Sequence, residues 1–282
     1  MAISRYSRPT SVAQACALLS DAPGRTALLT GGTDMAVSLR SGRDVDLMVD
    51  LKRIPELHTL GWSDEGELTI GACMTLREIC ESTPIRERFP ALTEAAEVVG
   101  SYQIRCRATI TGNLCNASPC ADTIPPLLAL GARIRITDPS GEREEPLDGF
   151  ITHVKKTRLK PSEVVTAVIV PPPPPGSRNA FMRIQRLRGH DLALVNAAAT
   201  FNPKTRAFTL AVGSVAPTPL LIPDLDDACP SGATPDEVGE RLAERTLPHI
   251  SPIDDVRASA EYRRDMTALL CRRLARRLMG NP

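Results

Sequence analysis

T-I-T-G-N-L-C-N-A-S-P-C-A-D-T-I-P-P-L-L-A-L-G-A, residues 109–132, is the stretch on which the rest of the chain turns. Its opening half, up to Asp122, is made mostly of small or polar residues, and an apolar, helix-like run from Ile124 to Leu130 follows directly. Polar groups gathered ahead of a buried element suit a wall that must hydrogen-bond something bulky held against it. Gly112, with no Cβ, lets the backbone come close to a ligand, and Asn113, Ser118 and Asp122 supply donors and acceptors. Pro125 suits the first turn of a helix, which makes Asp122–Thr123 the expected N-cap region. An ordinary capped turn has the same composition, so the residues alone leave both readings open.

Upstream, T-A-L-L-T-G-G-T-D-M, residues 26–35, reads as a strand (Ala27 to Leu29), a turn (Thr30 to Asp34) and a helix from Met35 to Arg40. A strand–Gly-Gly–helix unit sets successive backbone N–H groups in a concave nest beside a helix N-terminus, which favours a phosphate. Gly31 and Gly32 can take positive φ, and Thr33 can donate its hydroxyl. The unit lacks the GxxxxGK and GxGxxG patterns, and two glycines also serve a plain tight turn.

Together these stretches resemble a known family. G-N-L-C-N-A-S-P-C-A-D is similar to the flavin-binding signature of the FAD subunit of molybdenum hydroxylases, the group of the xanthine dehydrogenase, carbon monoxide dehydrogenase and hydroxybenzoyl-CoA reductase types. G-G-T-D matches that family's A-G-G-T-D motif. Similarity continues in I-G-A-C-M-T-L-R-E-I (70–79), Q-I-R-C-R-A-T (103–109) and D-D-V-R-A-S-A-E-Y-R-R (254–264). The resemblance implies that Leu29, Thr30, Gly31, Gly32, Thr33 and Asp34 wrap the FAD pyrophosphate, with Asp34 bonding the loop backbone or a ribose hydroxyl. It implies a second flavin wall from Thr109, Ile110, Thr111, Gly112, Asn113, Ser118 and Asp122. It also places a residue near Val165 on the flavin ring, and Arg183 beside the ring's pyrimidine side. Without it, Val165 reads as a sheet-core valine and Arg183 as a strand surface residue. Thr111 departs from the pattern, standing where the family usually has the first glycine of a pair. A β-branched residue there suits extended backbone and not positive φ.

Composition is that of an ordinary globular protein: 282 residues, 42% hydrophobic, 24% charged and a formal net charge of +1. With 3% aromatics, the core must be filled by Leu, Val, Ile and Ala. No basic, aromatic-laced cluster points to nucleic acid, and no apolar run approaches the ~20 residues needed to span a bilayer. The N-terminal M-A-I-S-R-Y-S-R-P has no apolar leader, so a cytoplasmic location is expected. Eight cysteines are scattered without a C-x-x-C pair, which reads as buried small hydrophobes. Cys106, Cys115 and Cys120 alone keep a metal cluster open. No Ser-His-Asp or Cys-His pair marks a catalytic site on this chain, and His58, His153, His190 and His249 read as structural or surface residues.

The expected fold is α+β: two FAD-binding subdomains clasping the cofactor, then a smaller C-terminal α/β domain. Residues 1–58 form the first subdomain and 59–170 the second. A proline-rich linker, 171–178, carries Pro171 to Pro175 in an extended polyproline II path. Residues 179–282 form the C-terminal domain, whose last helix, Tyr262 to Met279, has an arginine-rich face that could be solvated or meet an acidic partner. The resemblance implies an FAD-dependent oxidoreductase subunit whose substrate site lies elsewhere. Molybdopterin would sit on a large partner chain and iron–sulfur clusters on a small one, docking near Arg105 and Arg107. Electrons would pass through FAD to NAD, a quinone or oxygen. Two alternatives stay open: a scaffold subunit that has lost flavin, and a stand-alone FAD-dependent reductase.

Overall fold

The computed structural model describes residues 3–22, 24–187 and 189–280; the outermost residues of the expected 1–58 and 179–282 segments lie outside these. The chain begins with a parallel sheet. Strands β1 (Ile3–Ser7) and β2 (Thr26–Leu29) flank β3 (Val45–Asp50), joined through helices α1 (Val12–Ser20) and α2 (Thr33–Arg40). Ser11 caps α1, its side chain accepting from the Gln14 N–H. The second helix starts at Thr33, ahead of the expected Met35. Gly32 stands at its N-cap with φ of 77°, so the turn closes into the helix at once.

A second sheet is antiparallel and five-stranded. It contains β4 (Leu60–Trp62), β5 (Leu68–Gly71), β6 (Arg133–Asp138) and β7 (Gly141–Pro146). After a short ribbon of β8 (Ile151–His153) and β9 (Lys156–Thr157), the chain returns as β10 (Val164–Val170) and takes the centre, in the order β4-β5-β10-β6-β7. V-V-T-A-V-I-V is buried along its whole length, as a central strand covered on both faces must be. Its register with β6 shifts between Val165 and Ala167, a bulge that leaves Thr166 as the extra residue.

Between β5 and β6 run six short helices: α3 (Leu76–Glu81), α4 (Thr83–Arg88), α5 (Pro90–Glu97), α6 (Tyr102–Arg105), α7 (Ile110–Cys115) and α8 (Ile124–Ala129). Thr75 and Glu78 form the capping box expected from their spacing. Every residue of α8 is buried. Its N-cap is Thr123, whose hydroxyl donates to Asn113 Oδ1 at 2.7 Å rather than capping its own helix.

The last sheet is antiparallel: β11 (Arg178–Ile184), β12 (Val195–Asn202), β13 (Ala207–Gly213) and β14 (Leu220–Leu221). Helices α9 (Pro235–Thr246) and α10 (Ala260–Met279) cover one face. Strand alternation decides what each face meets. Ala197, Ala199 and Leu210 pack with Leu242 and Leu274, while Phe181, Ala198 and Ala211 pack with Leu92 and Leu127. Much of the arginine-rich face of α10 is engaged within the chain, while Arg273 stays exposed. Arg272 and Arg276 pair with Glu240 and Asp236 of α9 at 2.7 and 2.5 Å, Arg277 pairs with Glu94, and Arg263 is buried. No described helix is long and apolar enough to cross a membrane.

Candidate functional site

Two loops that stand 79 positions apart in sequence meet at one point. The Thr30 and Thr109 hydroxyls share a hydrogen bond of 3.0 Å, and the Thr109 hydroxyl also accepts from the Gly112 N–H at 2.9 Å. The backbones approach too closely for side chains. A Cβ on Gly31 would collide with the Arg107 carbonyl, and one on Gly112 would lie 2.9 Å from Thr109 Oγ1 and 3.1 Å from Thr30 Oγ1. Gly32 forms no side-chain cap on α2, so the first N–H groups of that helix face outward with the positive end of its dipole. Thr111 is helical, lying within α7, and not extended as its branching suggested. Thr109 caps that helix, and the backbone then has no need of positive φ at position 111.

These loops line an open cleft of about 580 Å³, within the ~300–1,000 Å³ usual for ligand pockets. Leu29, Thr30, Gly31, Gly32, Thr33 and Asp34 lie along it, as do Thr109, Thr111, Gly112, Asn113, Ser118, Asp122 and Val165. Two expected residues do not. Ile110 turns into the core at 1% exposure, and Arg183 stands behind the wall. Asp34 makes no hydrogen bond to the loop backbone among the described residues. Val165 packs in the main core cluster, as a sheet-core valine would, and also borders the cleft at the bulge of β10.

The far wall is electrostatic. Asp122 is 6% exposed; Arg183 Nη1 donates to its Oδ2 at 2.8 Å, and Asn196 Nδ2 donates to its Oδ1 at 2.8 Å. Burial pushes the Asp122 carboxyl above the ordinary aspartate range, against the pull of Arg183 and Asn196. Arg183 Nη1 also reaches the Asp191 carbonyl at 3.4 Å.

Sequence reasoning missed several cleft residues. His190, Asp191 and Leu192 reach it from the loop between β11 and β12, and Val99, Ile104 and Lys160 line it from the second sheet's connections. His190 thus borders the cleft instead of being merely surface. Asp191 organises that loop, its carboxylate accepting from the Arg186, Leu187 and Leu192 N–H groups. Of the three clustered cysteines, Cys115 and Cys120 line the cleft, whereas Cys106 lies in a separate depression of mixed charge, with Lys52, Arg77 and Arg107 beside Glu78 and Glu81. Burial pushes the Cys115 thiol up to about 12. Among the described residues, no group of three His, Cys, Asp or Glu side chains is placed to hold a metal ion.

The cleft fits FAD on three observations. The glycine cradle would be filled by any Cβ, the N-terminus of α2 offers unpaired donors to a pyrophosphate, and Thr111 Oγ1 is buried without a partner. Residues 2–173 match a family described as the FAD binding domain in molybdopterin dehydrogenase, and residues 179–278 match the CO dehydrogenase flavoprotein C-terminal domain. The chain is 30% identical over 263 residues to a xanthine dehydrogenase FAD-binding subunit of Escherichia coli, covering 92% of this chain and 90% of that one. It is 30% identical over 274 residues to the carbon monoxide dehydrogenase medium chain of Hydrogenophaga pseudoflava, covering 95% and 94%. A solved carbon monoxide dehydrogenase from the latter organism superposes with a TM-score of 0.93, at 27% identity, over 99% of this chain and 98% of that one.

Proposed function

The chain belongs to the FAD-binding family of the molybdopterin dehydrogenases, and from that premise we propose that it passes electrons from iron–sulfur clusters on a small partner chain, through FAD, to NAD, a quinone or oxygen. It is a flavin subunit of an oxidoreductase, and the molybdopterin and the organic substrate would belong to a large partner chain. FAD supplies the redox chemistry when bound; the protein supplies its position and its electrostatic surroundings.

The residues named above divide that work. Gly31, Gly32 and the first N–H groups of α2 would hold the pyrophosphate, with Gly112 and Asn113 closing over it from the second loop. Val165, Asp122, Asp191 and Leu192 would border the ring. An iron–sulfur partner would approach the depression that holds Arg107, on the other side of the Thr30–Gly31 loop.

The observation that carries this reading is the clasp of the two glycine loops through Thr30 and Thr109 at the edge of a cleft of cofactor size. An absorption spectrum of the freshly purified protein, with identification of the released cofactor, tests it. Flavin bands with FAD released at one per chain support the reading. A colourless protein that cannot be reconstituted with FAD would sink it and leave the scaffold alternative. Purification with tagged partner chains then tests the assembly, and reoxidation of the reduced complex by NAD, a quinone or oxygen identifies the acceptor.

A further inference from the structure

The wall around Asp122 is built by a row of cross-strand partners. Arg183 of β11 pairs with Asn196 of β12, which pairs in turn with Gly213 of β13. Gly213 is small for a reason: a Cβ there would collide with Asn196 Oδ1 and lie 3.3 Å from Pro125 of α8. The missing side chain makes room for Asn196, fully buried, to reach Asp122. Asp122 therefore has one oxygen held by a cation and the other by an amide, and its partner Arg183 has a side chain only 7% exposed. A guanidinium beside the cleft would favour the negative charge that FAD gains on reduction. Here that guanidinium is already matched by a carboxylate.

We propose that Asp122 masks the charge of Arg183, with Asn196 as the positioning residue that holds the mask in place, so that this trio sets the reduction potential of the bound flavin. The proposal rests on the flavin reading above and assigns the wall a role beyond cofactor retention. The cation does not act on the flavin as a bare charge. Its influence is released only when Asp122 loses its own charge or its hold. Burial, which favours the neutral carboxyl, keeps that release within reach.

The test is the midpoint potential of bound FAD, measured by dye-equilibrated reductive titration of the full-length chain and four variants. Asp122→Asn keeps the shape and removes the mask; its potential is expected to rise. Asn196→Ala is expected to move the potential the same way by a smaller amount. Arg183→Gln leaves a lone buried carboxyl that takes up a proton, and the Asp122→Asn/Arg183→Gln pair leaves no charge at all. Both are expected to stay close to wild type, which a merely structural role would not produce. An FAD-loaded Asp122→Asn protein with the wild-type potential overturns the proposal, as does an equal rise in Arg183→Gln. Should Asp122→Asn retain no FAD, the Asn196→Ala shift decides in the same sense. Wild-type protein that takes up no FAD brings down the flavin reading together with this proposal, whereas an FAD-loaded series with an immobile potential brings down the proposal alone.

Discussion

The two ends of the cleft are built on different principles. The glycine-loop end is made of backbone, brought together by the absence of side chains at Gly31 and Gly112 and held by one hydroxyl pair. The Asp122 end is made of side chains: a buried ion pair, an amide and a sheet whose register sets them in a row. A backbone site depends on shape and fails when it is filled. A side-chain site depends on charge balance and fails when it is halved.

The largest expected effect breaks the charged end. Asp122→Ala leaves Arg183 buried and unpaired, which costs roughly 3–5 kcal/mol, and both thermal stability and FAD content fall. If a urea titration finds Asp122→Ala within about 1 kcal/mol of wild type, a change too small for a broken buried pair, the wall is solvated and the contrast collapses. Next comes the backbone end. Gly31→Ala drives a Cβ into the Arg107 carbonyl, and strain of this kind costs about 1–3 kcal/mol. FAD content is expected to fall further than stability does, because the displaced loop is the proposed pyrophosphate cradle. A control sharpens both. Thr234 and Glu237 cap α9 with a capping box far from the cleft, so Thr234→Ala is expected to cost about 1 kcal/mol with FAD content unchanged.

The smallest effect is one of sign. Asp50, paired in register with Leu29 beneath the glycine loop, is also closed off from solvent but less deeply enclosed than Asp122, and burial pushes its carboxyl up as well. There the hydrogen bonds from Lys52 and Tyr6 win, and the carboxyl sits below the ordinary range. Its stabilisation is present above the ordinary aspartate pKa and lost as pH falls through its lowered value. Asp122, raised, behaves oppositely: its contribution is full below the ordinary pKa and is lost as pH rises through the raised value. Melting temperatures measured against pH are therefore expected to bring wild type closer to Asp50→Asn on acidification. Against Asp122→Asn, wild type is expected to gain. Curves that move together would show that the two carboxylates share one environment.

The sequence exposed the backbone end far more fully than the charged end. Strand, glycine pair and helix follow one another within 26–40, and local rules at Ser11 and at Thr75–Glu78 carried directly into caps. The charged end is a tertiary construction. Asn196 lies 74 positions from Asp122 inside an alanine-rich strand, and nothing local distinguishes it until β12 is set beside β11. The bulge that brings Val165 to the cleft depends on register with β6, which no strand declares by itself. Thr111 misled for a related reason. Its branching argues for extended backbone, but Thr109 two positions earlier caps a short helix, and the cap prevails. The arginines of α10 left solvent and an acidic partner both open, and only the packing of α9 showed that Arg272 and Arg276 meet Glu240 and Asp236.

The last sheet is buried on both faces, and that has a practical meaning for dissecting the chain. A cut within Pro171–Pro175 follows the most obvious seam in the sequence, yet it would strip Phe181, Ala198 and Ala211 from α5 and α8 and leave a wholly buried helix facing water. The N-terminal piece would carry both glycine loops but lack Arg183 and Asn196, and its new apolar surface would favour self-association. Fragment expression would thus yield aggregates in place of a minimal flavodomain, and any shortened version has to keep the chain through α10.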